Sequence, residues 1–362
     1  MRQVRWRHVA AQALLVAFGL AACERDSQQA PPPASTRALR FASFGGSFQE
    51  ALEREYVQPI AEGLQIEAQV EAYGADYDRL VATIRNESNP YDLVHVETRF
   101  LHQGARDRLL EPIDWNALDR SAFVDGAADP HGVALLSWSL VLSWNASRLP
   151  DPSTPPSTWE DLFDTNRFPG PRALRNSPEG NLELALLADG VPGNQIYTSG
   201  PDGSMDVERA LNKLGTIRDS ISWWETGAEL EQKLASSAAI AAAWNGRVAH
   251  LKHAGNLPVG WTFTGSINQF DWWVIPINSD KKESAIRFLA ATAGGEGQIA
   301  IAKEFGYGPV SRSVLAMMPA ELRAETPSAE DNARLGVTFD GEWWALNTKV
   351  VSARWNRWRL ER

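Results

Sequence analysis

The chain has 362 residues, a formal charge of −10 and one cysteine. An acidic balance of this size disfavours nucleic acid, which selects a basic patch, and a lone cysteine excludes a disulfide framework. The chain shows no Walker A sequence, no Gly-x-Ser-x-Gly, no His-Glu-x-x-His and no cysteine pair, so no common catalytic or zinc motif assigns it to an enzyme class.

Arg2, Arg5 and Arg7 precede an apolar run from Val9 to Leu20 that is too short to span a bilayer as a mature helix. The run ends in Leu20-Ala21-Ala22-Cys23, which resembles the lipobox of bacterial lipoproteins. Residues 1–22 are therefore expected to be a lipoprotein signal peptide, with Cys23 as the lipidated first residue of the mature chain. Two or more acyl chains suffice for stable anchoring. The segment "ERDSQQAPPPASTR" is polar and proline-rich, and 23–37 reads as a flexible tether. Cleavage removes three arginines and no acids, leaving a formal charge of −13 that disfavours any further adhesion to anionic lipid. The rest is long enough for two domains with proper cores.

"ALRFASF" is a strand candidate that ends at Gly45-Gly46. Ser47 with Glu50 forms a capping box, so a helix is expected from Ser47 towards Gly63. "LQIEAQVEAY" alternates as a strand should, and Tyr77, Leu80, Val81 and Ile84 recur at helical spacing. "YDLVHVE" reads as a third strand, followed by a helix from about Phe100 to Leu110. This regular alternation indicates a mostly parallel sheet wound with helices. "SWSLVLSWN" places Trp138, Leu140, Leu142 and Trp144 on one face of a strand. The proline-rich break after it reads as a passage into a second domain. "IAAAWNGRVAHL" reads as a buried strand, a turn at Asn245-Gly246 where both residues accept positive φ, and a helix start. That arrangement puts Trp244 and Arg247 at the carboxyl end of a strand, where ligands bind in open α/β sheets. "FDWWVIPIN" is a further strand, "SAIRFLAATAGGEGQIAIAKEFG" is helical in two pieces, and the tail from Ala320 is helical.

Fifteen tryptophans invite a stacking role, but the pairs Trp223-Trp224 and Trp343-Trp344 read as packing. His250 and His253 stand three apart with no third ligand nearby, so no metal site is expected there. Nor does any sequence motif imply a cofactor.

The order of these pieces resembles the periplasmic solute-binding proteins of ATP-driven importers, in particular the putrescine- and spermidine-binding group. Seven segments carry the resemblance: "SFGGSFQEAL", "YDLVHVE" with "LLEPID", "LSWN", "PRALRNSPEGNLELALLADGV", "AAAWNGRV", "FDWWVIPINSDKKESAIRFL" and "YGPVSRS". It implies an α/β fold of two hinge-linked lobes (type II) with a ligand cleft between them, 38–136 and 266–312 forming one lobe, 137–265 and 313–362 the other. It also implies a monomer that hands its solute to a membrane permease of an ABC importer. Carried over by motif, the ligand-binding set is Phe44, Gly45, Gly46, Glu97, Trp244, Asn245, Arg247, Asp271 and Tyr307. Asp271 falls at the acid that binds an amine in the polyamine binders, and Trp244 at a cleft wall. Arg247 stands where that group carries an acid, which suits a carboxylate better than a second ammonium. A zwitterion is thus as good a candidate as a polyamine, unless Arg247 only pairs with Glu97 or Asp271. The competing class is a periplasmic enzyme on the same two-lobed fold, with Glu97 or Asp271 as base.

Overall fold

A computed structural model describes residues 38–86 and 89–361. The expected signal peptide, Cys23 and the tether fall outside that range. Among the described residues one sheet holds β1 (Leu39–Ser43), β2 (Ala68–Ala72), β3 (Leu93–Glu97), β4 (Ala128–Asp129), β5 (Gly132–Asn145), β6 (Arg172–Arg175), β7 (Ile221–Trp224), β8 (Ile240–Trp244), β9 (Val259–Val274) and β10 (Val337–Thr338). The strand order is β2-β1-β3-β9-β5-β8-β6-β7, with β10 on β9 and β4 on β5.

Two parallel blocks repeat one plan. In each, the first strand in sequence lies between the second and third: β1 between β2 and β3, and β6 between β7 and β8. Parallel neighbours need crossovers, and helices supply them, among them Tyr77–Arg85 before β3 and Gly227–Ser236 before β8. The antiparallel pair β5–β9 joins the blocks, with β3 on one side and β8 on the other. Its register slips between Ala134 and Leu136 and between Leu140 and Leu142, as bulges do where a strand must bend.

The core changes partners along β5. Val133–Leu136 and Trp138 pack with β1, β3 and Trp272–Val274, whereas Leu140 and Leu142 pack with the C-terminal helix Gly341–Leu360 and the helix Asn181–Ala188, and Val141 with Trp224 and Val248. Trp224, Trp273 and Trp344 are fully buried, each worth roughly 4 kcal/mol of transfer free energy from its area. The unpartnered indole N–H groups of Trp224 and Trp273 offset part of that. Within each tryptophan pair only the second member is core; Trp223 and Trp343 stay half-buried.

Local signals were overridden at several points. The first helix starts at Gly46, capped by Gly45, and Ser47 with Glu50 forms no box. Gly45 and Gly46 adopt φ of 90° and 71°, which lets the chain turn a residue earlier. Neither Asn245 nor Gly246 has positive φ, so there is no turn; β8 runs straight into the helix Asn245–His253. Space explains Gly246 instead, because a Cβ there would lie 2.2 Å from the Phe305 carbonyl oxygen. The helix after β3 begins at Thr98 rather than Phe100. β9 begins at Val259, well before Phe270; its first half is partly exposed and lacks the apolar run by which a sequence announces a buried strand.

Candidate functional site

In an open sheet the crevice forms at the carboxyl ends of parallel strands where the winding reverses. Both blocks have such a point. Between β1 and β3 it presents Phe44 and Glu97; between β6 and β8 it presents Arg175 and Trp244. A cavity with about 390 Å³ of open space lies there, lined by Glu97, Arg99, Trp138, Leu140, Arg175, Glu179, Gly180, Trp244 and Gln269.

Trp244 is built into the wall. It packs against all three hydrophobic clusters, its ring centre 4.9 Å from Trp224 and 6.4 Å from Trp138. The Arg175 guanidinium lies over its ring at 5.0 Å. Arg99 Nε stands 2.9 Å from Glu179 Oε1, too poorly aligned for a hydrogen bond, so the two meet as an ion pair. Burial pushes the Glu97 carboxyl above its ordinary value; Arg175 opposes that shift, Asp271 and Glu179 add to it, and Arg99 opposes it. The Tyr77 hydroxyl donates to Glu97 Oε2 over a long 3.4 Å and accepts from the Glu97 N–H at 3.0 Å.

Asp271 sits beside Glu97 in register on β9. Trp138 Nε1 donates to its Oδ1 at 2.9 Å, and His95 Nε2 lies 2.9 Å from its Oδ2. His95 Nδ1 is 2.9 Å from Ser43 Oγ. Every group is satisfied when His95 carries its proton on Nε2 and Ser43 donates to Nδ1. Ser43 and His95 are wholly buried, and the Phe44 ring covers His95 at 4.0 Å. This serine–histidine–aspartate line therefore holds Asp271 in place and presents no hydroxyl to a solute.

Of the residues proposed from sequence, Glu97 and Trp244 line the cavity. Gly45 and Gly46 form the turn that launches the first helix, with the Gly45 N–H donating to Gln49 Oε1 at 2.9 Å. Asn245 is buried, accepting from Ser139 N at 2.9 Å and donating to Gly306 O at 2.6 Å, which ties β5 to the loop carrying Tyr307. Tyr307 borders a second, mostly apolar cavity of about 230 Å³ and meets Phe48 edge-on at 5.6 Å. Burial pushes its hydroxyl up to about 12. Arg247 pairs with Glu231 at 3.2 Å, rather than with Glu97 or Asp271, and is not among the cavity's lining residues.

A profile of bacterial extracellular solute-binding proteins matches residues 55–330. The chain belongs to that family. It is similar to the gamma-aminobutyric acid-binding protein of Pseudomonas aeruginosa, 30% identical over 330 residues that cover 90% of this chain and 92% of the other. A solved GABA receptor is 29% identical with a TM-score of 0.80, covering 90% of this chain and 98% of that one. The fold of this family member is thus the two-lobed α/β fold of periplasmic binding proteins. A spermidine/putrescine-binding protein of Streptococcus pneumoniae matches with a TM-score of 0.70 at 16% identity, over 90% of this chain and 100% of the other, a likeness of fold alone. The polyamine group is therefore a distant neighbour.

Sequence reasoning missed Arg99, Arg175 and Glu179 in this solute-binding protein. Arg175 was within reach, since "PRALRNSPEG" ends a strand as "IAAAW" does. The Arg99–Glu179 pair was not, because it joins segments that meet only in three dimensions.

Proposed function

We propose that the protein is the lipid-anchored capture component of an ATP-driven importer, held at the periplasmic side of the membrane through Cys23. It acts as a monomer, taking up a small nitrogen-containing solute and delivering it to the permease. Residues 38–136 with 266–312 form one lobe and 137–265 with 313–362 the other, closing on the solute about β5 and β9. The observation that carries this reading is the cavity itself. It has a tryptophan wall and two lining carboxylates, Glu97 and Glu179, with Asp271 beside Glu97. Such a site suits an ammonium with a short alkyl chain. An amine is also common to GABA, which the similar proteins are named for, and to the polyamines of the distant neighbour. The enzymatic alternative, with Glu97 or Asp271 as base, lacks a visible nucleophile or oxyanion site to work with.

A thermal-shift screen of GABA, other amino acids, opines and polyamines tests the reading. A true ligand at a hundred times its dissociation constant adds about 2.7 kcal/mol. Failure of every amine to shift the melting temperature overturns it. The anchor is tested separately, since Cys23→Ala should abolish lipoprotein processing; unchanged migration and membrane fractionation would reject it.

A further inference from the structure

The C-terminal helix Gly341–Leu360 is apolar on two opposite faces. On one, Trp344, Val351, Trp355 and Trp358 are buried and pack with Leu140 and Leu142. On the other, Leu346, Val350, Ala353, Arg357 and Leu360 are all exposed, and steps of four and three residues keep them on one stripe. The stripe runs for about 20 Å along the helix. Leu346, Val350 and Leu360 are 61%, 72% and 85% exposed, the three highest values among the exposed large hydrophobic side chains described. A face turned to water gains nothing from leucine and valine, so a second apolar stripe points to a contact outside the fold. Charge gathers on the same side. Lys349 flanks the stripe and Arg357 lies within it, and neither makes an ion pair among the described residues. Arg357 only helps to hold the Glu208 carboxyl low, and Arg354 already binds that carboxylate at 2.6 and 2.8 Å. The helix carries four basic residues (Lys349, Arg354, Arg357 and Arg359) and one acid, Glu342, in a chain whose formal charge is −10.

We propose that this stripe seats on an anionic phospholipid surface, so that the anchored molecule lies on the membrane through its C-terminal helix instead of swinging on its tether. The inference rests on the Cys23 anchor for nearness to the bilayer and adds a second contact to it. Exposed leucine and valine interleaved with arginine and lysine are the chemistry of an interfacial helix. The stripe lines neither cavity, and a ridge without a pocket gives a protein partner no place for a buried anchor side chain. A second copy fits poorly as well, because the antiparallel register that sets Leu346 against Leu360 also sets Lys349 against Arg357. The net charge of the chain opposes adhesion of the molecule as a whole, but adhesion here is local, and repulsion of the acidic remainder leaves one orientation. Each basic residue near such a surface is worth roughly fivefold in affinity, so the stripe holds weakly by itself. The segment 23–37 spans at most about 50 Å, and that tether brings the helix to the bilayer at high effective concentration.

The test reads the helix directly. Acylation occupies Cys23, the one natural cysteine, so a single introduced thiol takes an environment-sensitive fluorophore. The label is placed at Leu346→Cys or, as control, at Met317→Cys, an exposed apolar position on another helix. Lipidated protein is reconstituted in phosphatidylcholine vesicles with and without phosphatidylglycerol. With phosphatidylglycerol the label at 346 should shift its emission to the blue and become shielded from aqueous acrylamide, while the label at 317 stays unchanged. Raised salt should reverse the shift. Lys349→Gln combined with Arg357→Gln should lower the surface-bound population about 25-fold, with an unchanged melting temperature showing that the variant is folded. A 346 label that stays in water while the protein floats with the anionic vesicles overturns the inference and leaves the anchor standing. A shift confined to native membranes also overturns it, because a protein then covers the helix. Protein that does not float with vesicles at all overturns the anchor and the inference together.

Discussion

In the first parallel block the strand ends bring an aromatic and an acid to the crevice, Phe44 after β1 and Glu97 on β3. In the second they bring a cation and an aromatic, Arg175 on β6 and Trp244 on β8. The winding is the same and the places are equivalent, yet charge and ring have exchanged strands. Topology thus brings these strand ends to equivalent places in the sheet, and the side chains there give the two blocks different charge. The supports differ as well. On the acid side the buried line from Ser43 through His95 holds Asp271 beside Glu97. On the cation side a single buried carboxylate, Glu183, gathers the structure: it accepts from Trp344 Nε1 at 2.6 Å, from Gly180 N at 2.8 Å and from the Tyr197 hydroxyl at 2.9 Å. Through Gly180 it ties the cavity floor to the C-terminal helix.

Asp271→Asn strikes the acid side hardest. An amide cannot accept from both Trp138 and His95 without turning its own NH₂ towards one of those donors. Losing one of these hydrogen bonds, with the buried carboxylate charge, and leaving an NH₂ against the other donor should cost about 3 kcal/mol of stability, visible in urea unfolding. A loss below about 1 kcal/mol would mean that the line is ornamental.

Glu183 probes the cation side through pH. Burial raises its carboxyl to about 7 from an ordinary 4.5, against the pull of its hydrogen bonds. The folded chain therefore keeps a proton that the unfolded chain releases in that window. Its contribution to stability is complete below pH 4.5 and is lost as pH climbs through 7, a span of about 3 kcal/mol. Glu183→Gln should remove that component, so the variant gains on wild type as pH rises. Parallel stability–pH curves for the two proteins would refute this.

Arg247→Met should do least. Its pairing with Glu231 is 40% exposed on the arginine side, and such pairs contribute about 0.5 kcal/mol. Melting temperature should stay close to wild type, as should affinity for whichever amine shifts it in the ligand screen. A tenfold loss of that affinity would return Arg247 to the cleft and blur the contrast between the blocks.

Trp244, which lines the cavity, was legible as the end of a short apolar strand, whereas Glu97 came only through the family resemblance of "YDLVHVE". Strand–helix alternation likewise made an α/β sheet readable before any contact was known. Gly246 shows the limit of that approach. Its local meaning was a turn, but the Phe305 carbonyl packed against it decided that only glycine fits. Asp271 could be read as an acid, yet its partners Trp138 and His95 lie 133 and 176 residues away. The sequence by itself determined the alternation of elements, the acidic balance and the residue types at each strand end, since these depend on periodicity and composition. Tertiary structure alone decided that Arg99 meets Glu179 whereas Arg175 stacks on Trp244. That outcome depends on which carboxylate each guanidinium meets after the blocks close around β5 and β9, and no local pattern encodes such long-range pairing.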